Sequence, residues 1–468
     1  MNNNVKALKS GIWYIFSTIL VNGIGFFMTP IYSRILSKTE FGLFSDYTSV
    51  LAIATIIVTL KLDATLIAAR YDFSGDFDSY IFSMVCLSVF FVIFWIVVCN
   101  VFSSFFVSIL GIDSYYINVM LIYLATLPAV NLYLARERYF FEYKKSVQLS
   151  IILSLATALV SVFLVVIMED KLRGRILGYS IPTIIIGTAI IIWLVHKGMK
   201  ISYVYWKYAL PVCIPFIPHS LSLIVLSSVD KIMVTRVCSP EENALYSLAF
   251  TCAMVITMLL SALNSAYGPW LGEKLHLKEY SLIKKVSKVY MLGFMGLSIG
   301  FILVAPEVIA LLGGKAYSDG IAVFPPVAAG CILQFFYCLF VNVEQYEKKT
   351  VWMAVASASA AGLNFLLNSV LLPKYGYISA AYTTYIGYLW LLLAHMLIVY
   401  KYGYKDIYSY KLVALMIAVC TAIMPMATLL YNHSVLRYCL IGVYIIFFCL
   451  VINKYKKNIL RLFNSNYV

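Results

Sequence analysis

The chain has 468 residues, of which 62% are hydrophobic and 12% charged, with a mean hydropathy of +0.90. A soluble globular protein carries roughly 25% charged residues, so this composition excludes a water-soluble enzyme or binding module. The net charge of +14 finds no basic soluble face to occupy, which excludes nucleic acid as a partner.

A hydrocarbon core about 30 Å thick takes about 20 apolar residues per helix. Runs of that length follow one another almost end to end, near 11–33, 41–60, 80–106, 115–134, 146–168, 176–195, 209–229, 243–267, 289–312, 321–343, 351–372, 378–400, 411–431 and 435–453. They predict an all-α polytopic membrane protein of about 14 transmembrane helices. The first run follows Lys6 and Lys9 as a signal peptide would, yet Asn22, Gly23 and Gly25 lead into Met28, Thr29 and Pro30 without a small-x-small cleavage site. We read it as an uncleaved span. With the N-terminus inside, 25 Lys and Arg residues fall on cytoplasmic segments and 10 on the opposite side, which predicts that both termini are cytoplasmic.

Span 1 carries Gly23, Gly25 and Pro30, and span 7 carries Pro211, Pro215 and Pro218 on one helix face. Interrupted helices at corresponding places in two halves point to a transporter's binding region, with ordinary kinking as the alternative. The halves do correspond. Arg34, Ser37, Glu40, Leu43, Phe44 and Ser45 align without gaps on Arg236, Ser239, Glu242, Leu245, Tyr246 and Ser247, and both copies join an odd span to the next. Two parallel, pseudo-symmetric six-helix lobes follow, at 1–200 and 201–405, with spans 13 and 14 and a cytoplasmic tail at 406–468.

Ionisable residues in or beside spans are costly and mark pathways by default; they are Arg34, Asp46, Lys61, Asp63, Arg70, Asp230, Lys231, Arg236, Glu307 and Glu344. Arg34, Lys231 and Arg236 lie at outer ends, and Lys61 and Arg70 at the inner end of span 2. Each is a binding candidate, or a side chain snorkelling to the interface. Asp46 falls within the first two turns of span 2, where it could bind a coupling proton or cation or serve as an interfacial carboxylate. Most of the 37 tyrosines belong to interfacial belts.

Enzymatic chemistry has no constellation to stand on. His196, His219, His276, His395 and His433 are scattered, and there is no H-E-x-x-H and no nucleophile elbow. The ten cysteines, Cys86, Cys99, Cys331 and Cys338 among them, form no C-x-x-C pair and read as small hydrophobes. No metal or cofactor is expected.

These residues carry a family resemblance. Pro30 to Ser37, Glu40 to Phe44, Leu62 to Ile67 and Arg70-Tyr71 stand in the first half. Ser228 to Val234, Ala244 to Ser247, and Asn264 with Pro269 stand in the second. A last block runs from Gln345 to Thr350 and on through Asn364, Asn368, Pro373, Tyr375-Gly376, Ala380-Ala381 and Thr383. In this order and spacing the chain resembles the polysaccharide transporter family, the Wzx-type O-antigen and capsule repeat-unit flippases of the multidrug/oligosaccharidyl-lipid/polysaccharide exporter superfamily. It departs from that pattern in two places: span 1 has no central Arg or Lys, and the outer loop from Glu169 to Arg175 is unusually basic.

The resemblance implies a flippase of the bacterial cytoplasmic (inner) membrane, serving O-antigen, lipopolysaccharide or capsule assembly. Its substrate would be an undecaprenyl-pyrophosphate-linked oligosaccharide, and its partners the surrounding membrane lipids, a polysaccharide polymerase and a chain-length regulator. Of the residues flagged above, Arg34, Lys61, Arg70, Lys231 and Arg236 are the substrate-binding candidates; Asp46, Asp63 and Asp230 are the candidates for ion coupling, which a membrane potential negative inside would make unnecessary. The alternative is a cation-coupled small-molecule exporter of the related drug-efflux branch.

Overall fold

The computed structural model describes residues 3–140, 142–197, 200–347 and 350–464. Among them there is no β-strand; the chain is helical throughout. In order the helices are α1 (Asn3–Ile35), α2 (Lys38–Thr59), α3 (Leu66–Asp72), α4 (Phe77–Val101), α5 (Ser103–Leu110), α6 (Ser114–Tyr139), α7 (Tyr143–Ile167), α8 (Lys171–His196) and α9 (Tyr203–Val237). They continue with α10 (Pro240–His276), α11 (Tyr280–Leu303), α12 (Ala305–Gly313), α13 (Phe324–Tyr346), α14 (Thr350–Tyr375), α15 (Ile378–Lys401), α16 (Tyr410–Tyr431) and α17 (Ser434–Asn464). Short 3₁₀ helices at Leu62–Thr65 and Lys315–Val323 lead into α3 and α13.

Eleven described stretches are long and apolar enough to cross a membrane. They comprise α2, α4, α6, α7, α8, α10, α11, α13 with its preceding turn, α14, α15 and α16. The other long helices, α1, α9 and α17, occupy the places of expected spans 1, 7 and 14. The all-α polytopic plan is therefore the observed one.

Several boundaries move for local reasons. The run 289–312 is two helices, because Pro306 cannot continue α11 and instead opens α12. The run 80–106 breaks at Phe102 between α4 and α5. Helix α9 runs unbroken past Pro211, Pro215 and Pro218, so the expected interruption there is confined to the hydrogen bonds that proline cannot make. Lys348 and Lys349 lie outside the described residues, as do the side chains of Ala64, Ile67, Pro215, His219 and Pro269.

Two compact units divide the chain, Met1–Ala244 and Leu245–Val468. In the first, α7 packs on α8 and α6, while α9 lies along α2. The α7 to α8 approach requires Gly178, since a Cβ there would stand 2.2 Å from Ser161 Cα. Helix α2 begins with a capping box: Ser37 Oγ accepts from the Glu40 amide, and Glu40 Oε2 accepts from the Ser37 amide at 2.7 Å. The aligned Ser239 likewise caps the Glu242 amide at 3.1 Å. The two motifs also meet. Gly42 leaves no room for a side chain beneath the Pro240 carbonyl, and buried Asn243 donates from Nδ2 to Gly42 O (2.9 Å) and Thr235 Oγ1 (2.7 Å).

In the second unit α13 is the central helix, packed on α15, α16 and α11 and stacked through Phe335 on Phe294 at 4.0 Å. Helix α17 is tied in where Arg437 donates to Leu303 O (2.8 Å) and Glu307 (2.6 Å), next to Tyr431 donating to Ile302 O (2.7 Å).

Candidate functional site

A cavity of about 710 Å³ with a mixed polar and apolar lining opens in the first unit. Ala52, Thr55, Ile56 and Thr59 of α2 line it at helical spacing, as do Asn131, Ala135 and Arg138 of α6 and Ser220, Leu223 and Ile224 of α9. Lys61 and Asp63 close one end. A smaller adjoining recess includes Pro128, which interrupts the hydrogen-bond ladder of α6 at the cavity wall.

The backbone at that end is strained. Leu60 and Lys61 both adopt left-handed conformations, φ 57° and 50°, where a bulky residue is a rare visitor. This turn ends α2 and starts the 3₁₀ helix, bringing Lys61 Nζ to 2.9 Å from Asp63 Oδ2, with both side chains about two-fifths exposed. Arg138 is exposed at the end of α6, Nε donating to Leu134 O at 3.3 Å. That helix end is fixed from behind: Arg136 forks onto Asp78 (2.5 and 2.8 Å) and reaches buried Glu137 at 2.5 Å.

Two cations against one carboxylate leave the cavity with a net positive charge, which favours an anion. A guanidinium is suited to gripping phosphate oxygens in pairs. Thr55 and Thr59 donate to backbone carbonyls of their own helix, at 2.7 and 2.6 Å, leaving lone pairs to accept from hydroxyl groups. Asn131 and Ser220 add further polar contacts. The arrangement can hold an anionic group together with a hydroxylated one. Among the described residues no cluster of three or more His, Cys, Asp or Glu could hold a metal ion.

Of the eight residues given binding or coupling roles from sequence, Lys61 and Asp63 line this cavity. Arg70 does not line it; its guanidinium is 5.6 Å from the ring centres of Tyr71 and Phe140. Asp46 is buried near the other end of α2, its Oδ1 without a hydrogen-bond partner, and the Arg236 guanidinium acts on it electrostatically. Arg236 itself is exposed and lies against Gly111. Arg34 is exposed at the end of α1, where Nη1 donates to Pro30 O at 2.7 Å. Asp230 is buried and Lys231 half-buried on α9. The sites thus form two groups at opposite ends of α2, which over 22 residues is about 33 Å long.

Sequence reasoning missed Arg138, Asn131 and Thr55, whose spacing against Lys61 emerges only once α2, α6 and α9 are packed together. It flagged the basic Glu169–Arg175 loop without a reason, and the structure supplies one. Lys171 Nζ donates to Ile35 O at the end of α1 (3.0 Å), Arg173 lies 4.4 Å over Tyr115, and Arg175 is clamped between Tyr32 (3.7 Å) and Phe44 (4.1 Å).

The second unit seals two polar groupings inside. His395 Nδ1 and Glu344 Oε1 are 2.7 Å apart and both residues are buried. Asn368 links Asn364 (3.3 Å) and Thr383 (2.5 Å), all three at 0% exposure.

Comparison with known proteins agrees with this architecture. The model of the family described as "Polysaccharide biosynthesis protein" matches residues 7–275. No curated protein matches the sequence significantly. Among solved structures the chain is similar to the lipid II flippase MurJ in an inward closed conformation, with TM-score 0.66 and 13% identity over 96% of this chain and 100% of that one. It is similar also to the Vibrio cholerae MATE transporter VcmN (TM-score 0.57, 13% identity, 85% of this chain and 97% of that one). An inward-facing multidrug resistance MATE family transporter of the MOP superfamily gives TM-score 0.55 at 14% identity, over 86% of this chain and 98% of that one. With more than half of its length matched by the family model, the chain belongs to the polysaccharide biosynthesis protein family, and its fold is that of the flippase and MATE transporter structures it resembles.

Proposed function

We propose that the protein flips an undecaprenyl-pyrophosphate-linked oligosaccharide, of O-antigen or capsule type, from the inner to the outer leaflet of the bacterial cytoplasmic membrane without altering it chemically. The observation that carries this reading is the open cavity on membrane-spanning helices that sets Lys61 and Arg138 beside uncharged hydrogen-bonding groups. The family description and the likeness to a lipid II flippase support it.

Each charge at the bilayer centre costs about 2.5–3.5 kcal/mol or more, so a pyrophosphate with its glycan does not cross unaided at a useful rate. In the proposed mechanism the pyrophosphate enters between Lys61 and Arg138, displacing Asp63 from Lys61, while Thr55, Thr59, Asn131 and Ser220 receive sugar hydroxyls. Arg70 adds positive potential near the entry. Arg34, Lys231 and Arg236 hold the anion at the opposite end before release. A potential negative inside drives each negative charge outward by about 2.3 kcal/mol per 100 mV. Asp46, Asp63 and Asp230 are the groups through which a cation could be coupled. The lobes 1–200 and 201–405, the appended 406–468, cytoplasmic termini and docking to a polymerase and chain-length regulator complete the proposal.

A second reading, a cation-coupled small-molecule exporter, draws on the likeness to MATE transporters and on the buried, unpartnered oxygen of Asp46. Reconstitution in liposomes separates the two. Acceleration of lipid-linked oligosaccharide movement between leaflets under an imposed potential supports the flippase; no acceleration, with cation-driven drug movement instead, supports the exporter.

A further inference from the structure

A second cavity, of about 340 Å³, lies wholly within the second unit along the α14 to α15 contact. Its lining sets the small residues Ala356, Ser359 and Ala394 among larger ones, including Trp352 of α14 and Trp390 of α15. Both indoles are about half exposed, at 54% and 47%. Trp390 is held upright because its Nε1 donates to Ser359 Oγ on the facing helix at 2.9 Å. The first turns of α14 therefore face the last turns of α15, and the groove runs about 18 Å along α15 from Trp390 to Lys401 and Tyr402.

Polarity along this groove is one-sided. From Trp390 to the last turn of α15 the lining is apolar, through Val355, Ala394, Leu397 and Ile398; at the helix end it finishes in exposed Lys401 and half-buried Tyr402. An occupant matching that profile is an apolar chain parallel to the helices with an anionic group at its interfacial end. Indole and phenol are the side chains that settle at the headgroup level of a bilayer.

We infer that this groove is a binding site for an anionic phospholipid, one acyl chain lying between Trp352 and Trp390 and the headgroup phosphate held at Lys401. In the proposed orientation this end faces the cytoplasm, and the lipid comes from the inner leaflet. The site is separate from the Lys61 and Arg138 cavity and does not depend on the flippase reading.

Fluorescence quenching of the full chain in phosphatidylcholine liposomes tests the inference. Phosphatidylglycerol with brominated acyl chains is titrated in, and phosphatidylcholine with the same brominated chains serves as the control. The expected half-quenching mole fraction is about fivefold lower for phosphatidylglycerol, the attraction of one lysine for an anionic surface being about 1 kcal/mol. That preference should vanish in Lys401→Gln, and the preferential component of quenching should vanish in a variant with Trp352→Phe and Trp390→Phe. Equal quenching by the two lipids would mean ordinary bilayer contact and would overturn the site. So would a preference that survives Lys401→Gln. Displacement of the brominated lipid by a lower mole fraction of polyprenyl phosphate would assign the groove to an isoprenoid tail instead, which also overturns it.

Discussion

Lys61 in the first unit and Glu344 in the second each stand near the end of a long helix and each pairs with one neighbour, but their surroundings differ completely. Lys61 and Asp63 are 37% and 44% exposed on a cavity wall, whereas Glu344 and His395 are at most 1% exposed between α13 and α15. An exposed pair contributes little to stability and exchanges partners readily. A sealed pair holds packing together and offers nothing to a ligand unless the helices part. The difference teaches that charge inside a membrane protein is not itself a transport signal; what matters is whether water or substrate can reach it.

Glu344→Ala is the sharpest way to press the comparison. It leaves the His395 imidazole buried without its partner, and should cost about 2–4 kcal/mol, between a lost buried hydrogen bond and a broken buried ion pair. Denaturant unfolding in detergent reads this directly. A loss below about 0.5 kcal/mol would show that the pair is not structural.

Arg175 blurs the contrast, being a cation of the first unit that is enclosed by rings rather than open to the cavity. It also donates from Nη1 to Ser161 Oγ at 2.6 Å. Arg175→Lys keeps the charge but loses the flat stacking between Tyr32 and Phe44, and should cost about 1–2 kcal/mol of stability. Translocation per folded molecule should remain unchanged; a selective loss of translocation would move Arg175 into the substrate path.

Glu307 is a half-open carboxylate tie of the second unit, its partner Arg437 buried and its own side chain 43% exposed. Its hydrogen bonds to the Arg437 guanidinium hold the carboxyl down at about 2, below the ordinary carboxylate value. A carboxylate depressed by folding adds stability that is full above about pH 4.5 and lost as the pH falls toward 2. With the side chain 43% exposed, solvent screening keeps the contribution under about 1 kcal/mol. Unfolding of the wild type and Glu307→Gln should differ at pH 6 and converge near pH 2. A constant difference across that range would remove the ion pair from the account.

The fold was largely legible because hydropathy reports spans directly: every long helix falls on an apolar run, and the repeat at Arg34 and Arg236 reappears as paired helix starts. Breaks at Phe102 and before Pro306 were hidden inside apolar composition, which does not distinguish one long helix from a span followed by a short interfacial one. The site was half legible. Lys61 and Asp63 could be named because they end a span, whereas Arg138 lies on α6, far along the chain, and joins them through packing that no local pattern encodes. Arg175 looked like an anomaly of topology because its aromatic partners, Tyr32 and Phe44, lie more than a hundred residues away in sequence.

The most direct test of the central claim replaces Lys61 and Arg138 together by Gln and measures both stability and leaflet-to-leaflet movement of undecaprenyl-pyrophosphate-linked oligosaccharide in liposomes. The account predicts a stability change within about 1 kcal/mol, because neither side chain is buried. It predicts a fall in translocation of about a hundredfold, because each charge-assisted contact to phosphate is worth about 1.5–3 kcal/mol. Translocation at the wild-type rate by the folded double variant would contradict it.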